Sequence, residues 1–277
     1  MIAPAAPLLA DIELQLLLEA VYRVSGYDFR DYTPAFLKRR VSDRMRAENV
    51  ATISALQDRL LHDDEALERF IFAISIRGTK LFDDPKFWSE LRAEALPMLR
   101  TFPVMRAWIV GCGRGEDAYS LAIILREAGL ASRSRIYATD ISTNAIGLAR
   151  EGRVEVESVD AVFRRYRDSG GPHDIADFLS GEDHSASIVQ SLRGNIVFST
   201  HNLVCDHSFN EFHLIVCRDL FQQFNKSLAI RAHELLFESL ARGGYLALGN
   251  SDTIGYSPHQ RCFERVSGNA QIYRRVR

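Results

Sequence analysis

Two hydrophobic rhythms divide the chain. Over residues 11–75 apolar side chains recur three and four positions apart: Leu14, Leu17, Leu18 and Val21, then Leu37, Val41 and Met45. A third set, Leu67, Phe70, Ile71 and Ile74, follows the acidic start Asp63-Asp64-Glu65. That spacing lays one apolar stripe along each of several helices, so residues 1–75 read as an all-helical domain. From residue 107 the rhythm changes. Apolar runs at 107–111, 135–139, 195–199, 212–217, 244–249 and 269–274 predict strands, and 116–129, 143–151 and 226–241 predict helices. Such alternation implies a mainly parallel sheet covered on both faces. Gly243-Gly244 reads as the end of the last long helix, and the excursion between the two closing strands leaves room for an antiparallel one. Between 152 and 194 the pattern weakens around the turn signals Ser169-Gly-Gly-Pro172 and Ser180-Gly-Glu-Asp183.

Composition changes this picture little. Apolar residues make up 47% and charged residues 25% of 277 residues, with a net charge of −2, so nothing pulls the chain as a whole toward nucleic acid or an anionic membrane. The start, Met1 to Leu9, lacks a basic segment, and no apolar run approaches a membrane span, which predicts a cytoplasmic protein with no direct membrane insertion. Cys112, Cys205, Cys217 and Cys262 form no CxxC pair. Cys112, Cys205 and Cys217 read as small buried hydrophobes. His62, His173, His184, His207, His213 and His233 show no ligand spacing, so no metal is expected. His201 reads as a packing or hydrogen-bonding residue.

The densest chemical signal is Ala107-Trp-Ile-Val-Gly-Cys-Gly-Arg-Gly-Glu-Asp-Ala-Tyr-Ser-Leu-Ala122. A strand runs into a loop with glycines at 111, 113 and 115, and a helix opens on Glu116-Asp117. A second strand, Arg135 to Asp140, ends in a carboxylate. Glycines let the backbone approach a ligand, and an acid at the next strand tip accepts ribose hydroxyls, which is how nucleoside cofactors are held. The spacing is G-x-G-x-G rather than G-x-G-x-x-G, and acids at the helix start disfavour a pyrophosphate. They suit a ligand with an ammonium and a sulfonium, namely S-adenosylmethionine (SAM). No Walker lysine is present.

These residues carry a family resemblance over almost the whole chain. Ser25-Gly-Tyr-Asp-Phe-Arg-Asp-Tyr32 and Leu37-Lys-Arg-Arg-Val-Ser-Asp-Arg-Met45 resemble the N-terminal helical domain of CheR-type chemotaxis-receptor methyltransferases. Gly111-Cys-Gly-Arg-Gly-Glu-Asp-Ala-Tyr-Ser120 is similar to their cofactor loop. Ala138 to Thr143, Phe198 to Leu203 and Val216 to Leu220 match three further signatures in order. The resemblance implies a Rossmann-like class I SAM-dependent domain over 91–277, behind a linker, 76–90, that contributes to the cofactor site. The region 152–194 is where the family carries a small antiparallel subdomain, and receptor-tail binding there is not expected. It further implies that methyl passes from SAM to glutamate side chains of a receptor, leaving S-adenosylhomocysteine. By position, Gly111 and Gly113 would line the cofactor, Glu116 its methionine part and Asp140 its ribose. Asn202 and Leu203 would line the adenine, with Thr79, Arg77, Asp83, Arg218 and Asp219 also beside the cofactor. Arg77, Arg218 and Gln223 are the candidates at the reacting centre.

The chain departs from the pattern where chemistry would occur. In Ile76 to Pro85 the family's asparagine is Arg77 and its site arginine is Asp83; in Cys217 to Phe224 an asparagine has become Asp219 and a tyrosine Gln223. A glutamate acceptor, with a pKa near 4.3, is already ionised and needs no general base, so positioning supplies the rate. A carboxylate about 4 Å from Asp83 would meet roughly 4 kcal/mol of repulsion at an effective dielectric of 20. Arg77 could compensate from the other end of the segment. The alternatives are a different acceptor and a catalytically degenerate module that binds SAM or S-adenosylhomocysteine.

Lys38, Arg39, Arg40, Arg44 and Arg46 form a basic helix beside the stripe of Leu37, Val41 and Met45. By resemblance it faces the acidic methylation segment of a receptor; otherwise it is a solvated face with ion pairs within the helix. Arg39, Arg40, Arg44 and Arg46 are the candidate partner-binding residues. The patch is short and lacks interleaved aromatic residues, which excludes nucleic acid as a partner.

Overall fold

The computed structural model describes residues 8–76, 78–155, 157–181 and 185–277. Met1–Pro7, Arg77, Val156 and Glu182-Asp183-His184 therefore lie outside the described residues, and with them one candidate site residue and part of a turn signal. The chain divides into two compact units, 1–74 with 223–228, and 75–222 with 229–277.

The first unit contains α1 (Leu9–Ser25), α2 (Pro34–Ala47), α3 (Ile53–His62) and α4 (Asp64–Ser75). Side chains set their ends. Gly26 closes α1 at φ +77, Pro34 opens α2, and the Thr52 hydroxyl and Asp63 carboxylate accept the Ala55 and Ala66 amides, each at 3.1 Å. The predicted stripes are buried in Leu14, Leu17, Leu18, Val21, Leu37, Val41, Leu67, Phe70, Ile71 and Ile74. Residues 223–228 join this unit through Tyr32, which bridges to Phe224 and meets its ring edge-on at 5.1 Å. Gln223 is buried here, and its carbonyl accepts the Thr33 amide at 2.8 Å.

One ionic knot ties α2, α3 and α4. The Glu48 carboxylate is 4% exposed and pairs with Arg44, with Arg59 at 3.2 Å and with Arg69 at 3.1 Å. The Arg69 hydrogen bond and the neighbouring guanidiniums hold its carboxyl below the usual range despite burial. A lowered folded pKa gives stability that is present above about pH 4.3 and lost as pH falls through the folded value. Glu48→Ala should cost this unit about 2–3 kcal/mol in chemical denaturation near pH 7. The deficit should shrink toward pH 3; a deficit independent of pH would place the effect in packing.

The second unit begins with α5 (Pro85–Glu90), which continues through one π-helical stretch (Leu91–Ala95) into α6 (Leu96–Leu99). β1 (Met105–Val110), α7 (Glu116–Glu127), β2 (Ser134–Asp140) and α8 (Thr143–Glu151) follow. Next come β3 (Arg153–Glu155), α9 (Val159–Asp168), β4 (Leu179–Ser180), β5 (Ser185–Ile188) and α10 (Gln190–Arg193). The unit closes with β6 (Ile196–Thr200), β7 (Phe212–Cys217), α11 (Lys226–Ser239, its first turn belonging to the other unit), β8 (Leu240–Leu248), β9 (Phe263–Arg265) and β10 (Gln271–Arg275). The main sheet has the order β6-β2-β1-β7-β8-β10-β9. Its first five strands are parallel and β10 lies antiparallel to β8 and β9. β1 sits between two parallel neighbours under helices, so Ala107, Trp108, Ile109 and Val110 are all buried. The weak 152–194 stretch holds a separate antiparallel sheet, β3-β5-β4.

Two readings from the sequence are corrected. Gly243-Gly244 does not end a helix: α11 stops at Ser239 and both glycines lie inside β8. There the register jumps from Phe212–Leu240 to Leu214–Tyr245, Gly243 takes φ +80, and a Cβ on Gly244 would stand 2.9 Å from the Ala241 carbonyl. The glycines accommodate a bulge, a role that looks the same in sequence as a helix stop. Cys205 is exposed rather than buried, because it lies in the turn after Leu203 and not in a strand.

Candidate functional site

The strand order reverses between β1 and β7, and in open α/β sheets ligands bind outside the carboxyl ends of the strands at such a point. Four segments meet there: the glycine loop after β1, the tip of β2, the turn after β6 and the turn after β7. Gly111, Gly113 and Gly115 all lie in the left-handed region, at φ +62, +54 and +96. A Cβ on Gly115 would stand 3.0 Å from the Tyr119 ring and 3.3 Å from Ala149 and Phe198, so this glycine is needed for packing. A Cβ on Gly113 would meet nothing within 4 Å, so the loop faces open space there.

Asp140 fixes the loop from β2. Its carboxylate is buried and accepts the Gly113 and Ser142 amides, each at 3.0 Å, while its carbonyl accepts the His201 amide at 3.0 Å. The same acid therefore holds the loop, the start of α8 and the turn after β6. In that turn Asn202 is bound locally: its side-chain oxygen accepts the Val204 amide at 2.9 Å, its own amide donates to Asp206 at 2.8 Å, and Leu203 is buried. His201 packs edge-on against Trp108 at 5.3 Å and lies 3.2 Å from the His207 carbonyl, a packing and hydrogen-bonding role as expected.

Two adjacent acids open α7, with opposite fates. Asp117 is buried against Arg218, Oδ1 to Nη1 at 2.8 Å. Arg218 also donates from Nη2 to the Asp83 carbonyl at 3.0 Å and lies over the Phe87 ring at 4.7 Å. Burial opposes its charge, yet Asp117, Asp219, Asp83 and Asp84 hold its pKa above the ordinary arginine value. Glu116 has no such partner: among the described residues it makes no ion pair, and it accepts a hydrogen bond from the Thr79 hydroxyl at 3.4 Å. Burial, with the neighbouring Asp117 charge, pushes its carboxyl up to about 7.

The 79–84 segment is held by α7 at Thr79 and Phe82 and by α5 at Asp83. The Phe82 amide donates to the Ser120 hydroxyl at 2.9 Å, and the Asp83 carbonyl also accepts Trp88 Nε1 at 3.0 Å. Asp83 is half-buried, and Phe82 and Asp84 take φ +53 and +55. Asp219, at φ +53, places its carboxylate so close to Gly249 that any Cβ there would lie 2.4 Å from its Oδ1. Thr79, Gly113, Glu116, Asp140, Asn202, Arg218 and Asp219 thus belong to one connected arrangement around the loop. Gln223 belongs to the first unit. Asp117 was not singled out from sequence; its partner is 101 positions away, and no local pattern links them.

The basic helix is less free than its sequence suggests. Arg44 pairs with Glu48, Arg46 with Asp43 at 2.9 Å and Lys38 with Asp11 at 2.5 Å. Arg40 is half-buried over Phe36 at 5.3 Å, and Arg39 is exposed. Among the described residues no cluster could hold a metal ion, and no helix is long and apolar enough to cross a membrane.

The strand order, with a glycine loop, a helix opening on two acids and a strand-tip acid at its switch point, defines a Rossmann-like class I SAM-dependent methyltransferase. Within that class the chain belongs to the CheR methyltransferase family: residues 12–75 match its all-alpha domain and 77–272 its SAM binding domain. The chain is 38% identical over 265 residues to the Pseudomonas putida protein named Cher3, covering 96% of this chain and 97% of that one. It is 27% identical over 251 residues to the chemotaxis protein methyltransferase of Listeria monocytogenes, covering 89% and 93%. A 104.1 kDa protein of Rhodobacter capsulatus is 29% identical over 240 residues, which are 82% of this chain and 24% of that protein.

Proposed function

We propose that this methyltransferase transfers methyl from SAM to glutamate carboxylates of a chemotaxis or related signalling receptor and acts in the cytoplasm. The observation that carries the cofactor geometry is Glu116, a buried carboxylate without a cationic partner among the described residues, beside an open glycine loop. A buried charge is retained where something pairs with it, and the ammonium of a methionine moiety is such a partner. Thr79 orients the Glu116 carboxylate. Gly111 and Gly113 let the backbone approach the ligand. Asp140, already ordered by two backbone amides, presents its carboxylate to the ribose, and Asn202 and Leu203 border the adenine. Arg218 is a positioning residue here, because its guanidinium is spent on Asp117 and the Asp83 carbonyl.

Bound SAM supplies an electrophilic methyl. The acceptor arrives ionised, so the protein need only align and desolvate it, and no proton has to be removed. The names of the relatives support a chemoreceptor as acceptor. Exposed Arg39, with Arg40 beside it, would meet the acidic face of that partner, an interaction that salt weakens.

Incubation with methyl-labelled SAM and receptor cytoplasmic domains should yield label released as methanol by mild base. It should disappear when the receptor's helical glutamates are changed to alanine. Binding of S-adenosylhomocysteine without base-labile label on any receptor would sink the glutamate reading and leave the cofactor reading standing.

A further inference from the structure

The family's site arginine is aspartate at position 83, and the segment carrying it is bent. Phe82 and Asp84 occupy the left-handed region, which costs a non-glycine residue roughly 1–2 kcal/mol. Something must hold it. From α7 and β7 come the Ser120 and Arg218 contacts described above. From the other side comes α9, an element with no part in the cofactor reading. Arg165 Nε donates to the Leu81 carbonyl at 3.0 Å, and its Nη1 pairs with Glu157 at 2.7 Å. Glu157 in turn pairs with Lys80. The next residue, Tyr166, is fully buried with its ring edge-on to Phe82 at 5.2 Å. The Arg165 side chain is 18% exposed. Burial lowers its pKa, and the charge of Asp83 opposes that shift, so the two groups interact electrostatically.

We infer that Arg165 is a positioning residue that clamps the Leu81–Asp83 segment and supplies the positive charge that position 83 lacks. It rests on the cofactor reading for its relevance to catalysis, but the clamp itself is a property of the ligand-free chain. Lys80 and Arg165 both pair with Glu157, and Arg165 also faces the charge of Asp83, which Arg218 meets from the other side. Removing Arg165 takes one positive charge away from Asp83 and frees the Leu81 carbonyl at the same time.

The test separates the clamp from the cofactor reading. Hydrogen exchange of the ligand-free chain is compared for the parent, Arg165→Gln, Arg165→Lys, and Arg165→Gln combined with Asp83→Asn. Arg165→Gln should speed exchange of the amides of 80–84 at least tenfold and leave the β1 and β2 amides unchanged. Arg165→Lys should recover much of the protection, and Asp83→Asn should recover part of it in the Arg165→Gln background. Unchanged exchange in Arg165→Gln, or no recovery on adding Asp83→Asn, overturns the inference. If Arg165→Gln does not fold, Arg165→Lys with and without Asp83→Asn gives the same comparison over a smaller range. A separate titration of the parent with S-adenosylhomocysteine decides the cofactor reading: absence of binding there sinks that reading, while the exchange result still decides the clamp. Where the parent binds, Arg165→Gln should weaken S-adenosylhomocysteine several-fold, because Thr79 reaches Glu116 from the same segment.

Discussion

Arg218→Met should destabilise the methyltransferase unit by about 3–5 kcal/mol, the largest stability effect expected of any single substitution in the site. Arg218 and Asp117 are 2% and 3% exposed, so neither charge can return to water when its partner is lost. The substitution leaves Asp117 as an unpaired buried carboxylate and also releases the Asp83 carbonyl from Nη2. The pair itself need not be strongly stabilising, because its attraction offsets the cost of burying two ions. Arg218→Met combined with Asp117→Leu should therefore recover most of the loss. Tryptophan fluorescence in a denaturant titration reports this unit alone, since both tryptophans, Trp88 and Trp108, belong to it. A loss below about 1 kcal/mol would mean that water reaches the pair and that the 79–84 segment is held by other contacts.

The second large effect is a pH dependence of ligand binding centred on Glu116. Its carboxyl is pushed up to about 7 by burial, against about 4.3 in an unfolded chain. Below about pH 4.3 both states are protonated and the group contributes nothing to stability. Between the two values the folded state keeps a proton that the unfolded state has lost, so stability falls as pH rises and levels off above about 7. The full cost is on the order of 4 kcal/mol, and Glu116→Gln should remove it, leaving the ligand-free variant more stable than the parent at pH 8. Binding should run the opposite way. A ligand ammonium needs the ionised carboxylate, so S-adenosylhomocysteine affinity should rise nearly tenfold per pH unit below about 7 and then flatten. From pH 5 to pH 8 the change should be roughly a hundredfold, with proton release seen by calorimetry in buffers of different ionisation heat. Glu116→Gln should bind weakly and almost independently of pH. Equal pH dependence in parent and variant would remove Glu116 from the ligand's ammonium site.

The legible parts of this protein are those where chemistry is local. Helical spacing of Leu14, Leu17, Leu18 and Val21, or of Leu67, Phe70 and Ile71, follows directly from burying one stripe, and each is buried as expected. The glycine loop and Asp140 were legible because a left-handed turn and a strand-tip acid leave a mark in a few consecutive residues. The Gly243-Gly244 pair was misread because a β-bulge and a helix stop ask the same of the backbone, a residue tolerant of positive φ. Cys205 was misread because its neighbour Leu203 is buried and the turn between them has no apolar period of its own.

What the sequence by itself determined is the helical stretch that opens the chain, the strand–loop–helix with its glycines, and the family, because each is written in runs of neighbouring residues; that 223–228 belong with the first helices was decided by the fold. Which charges are satisfied was decided only in three dimensions. Of the two acids that open α7, Asp117 meets an arginine from the end of β7 and Glu116 meets none among the described residues. The basic helix α2 loses Arg44 to a glutamate that also gathers arginines from α3 and α4. Arg165 reaches the Leu81 carbonyl across 84 positions. Ion pairing depends on distances of a few ångströms between segments remote in sequence, and a one-dimensional pattern carries no such distances.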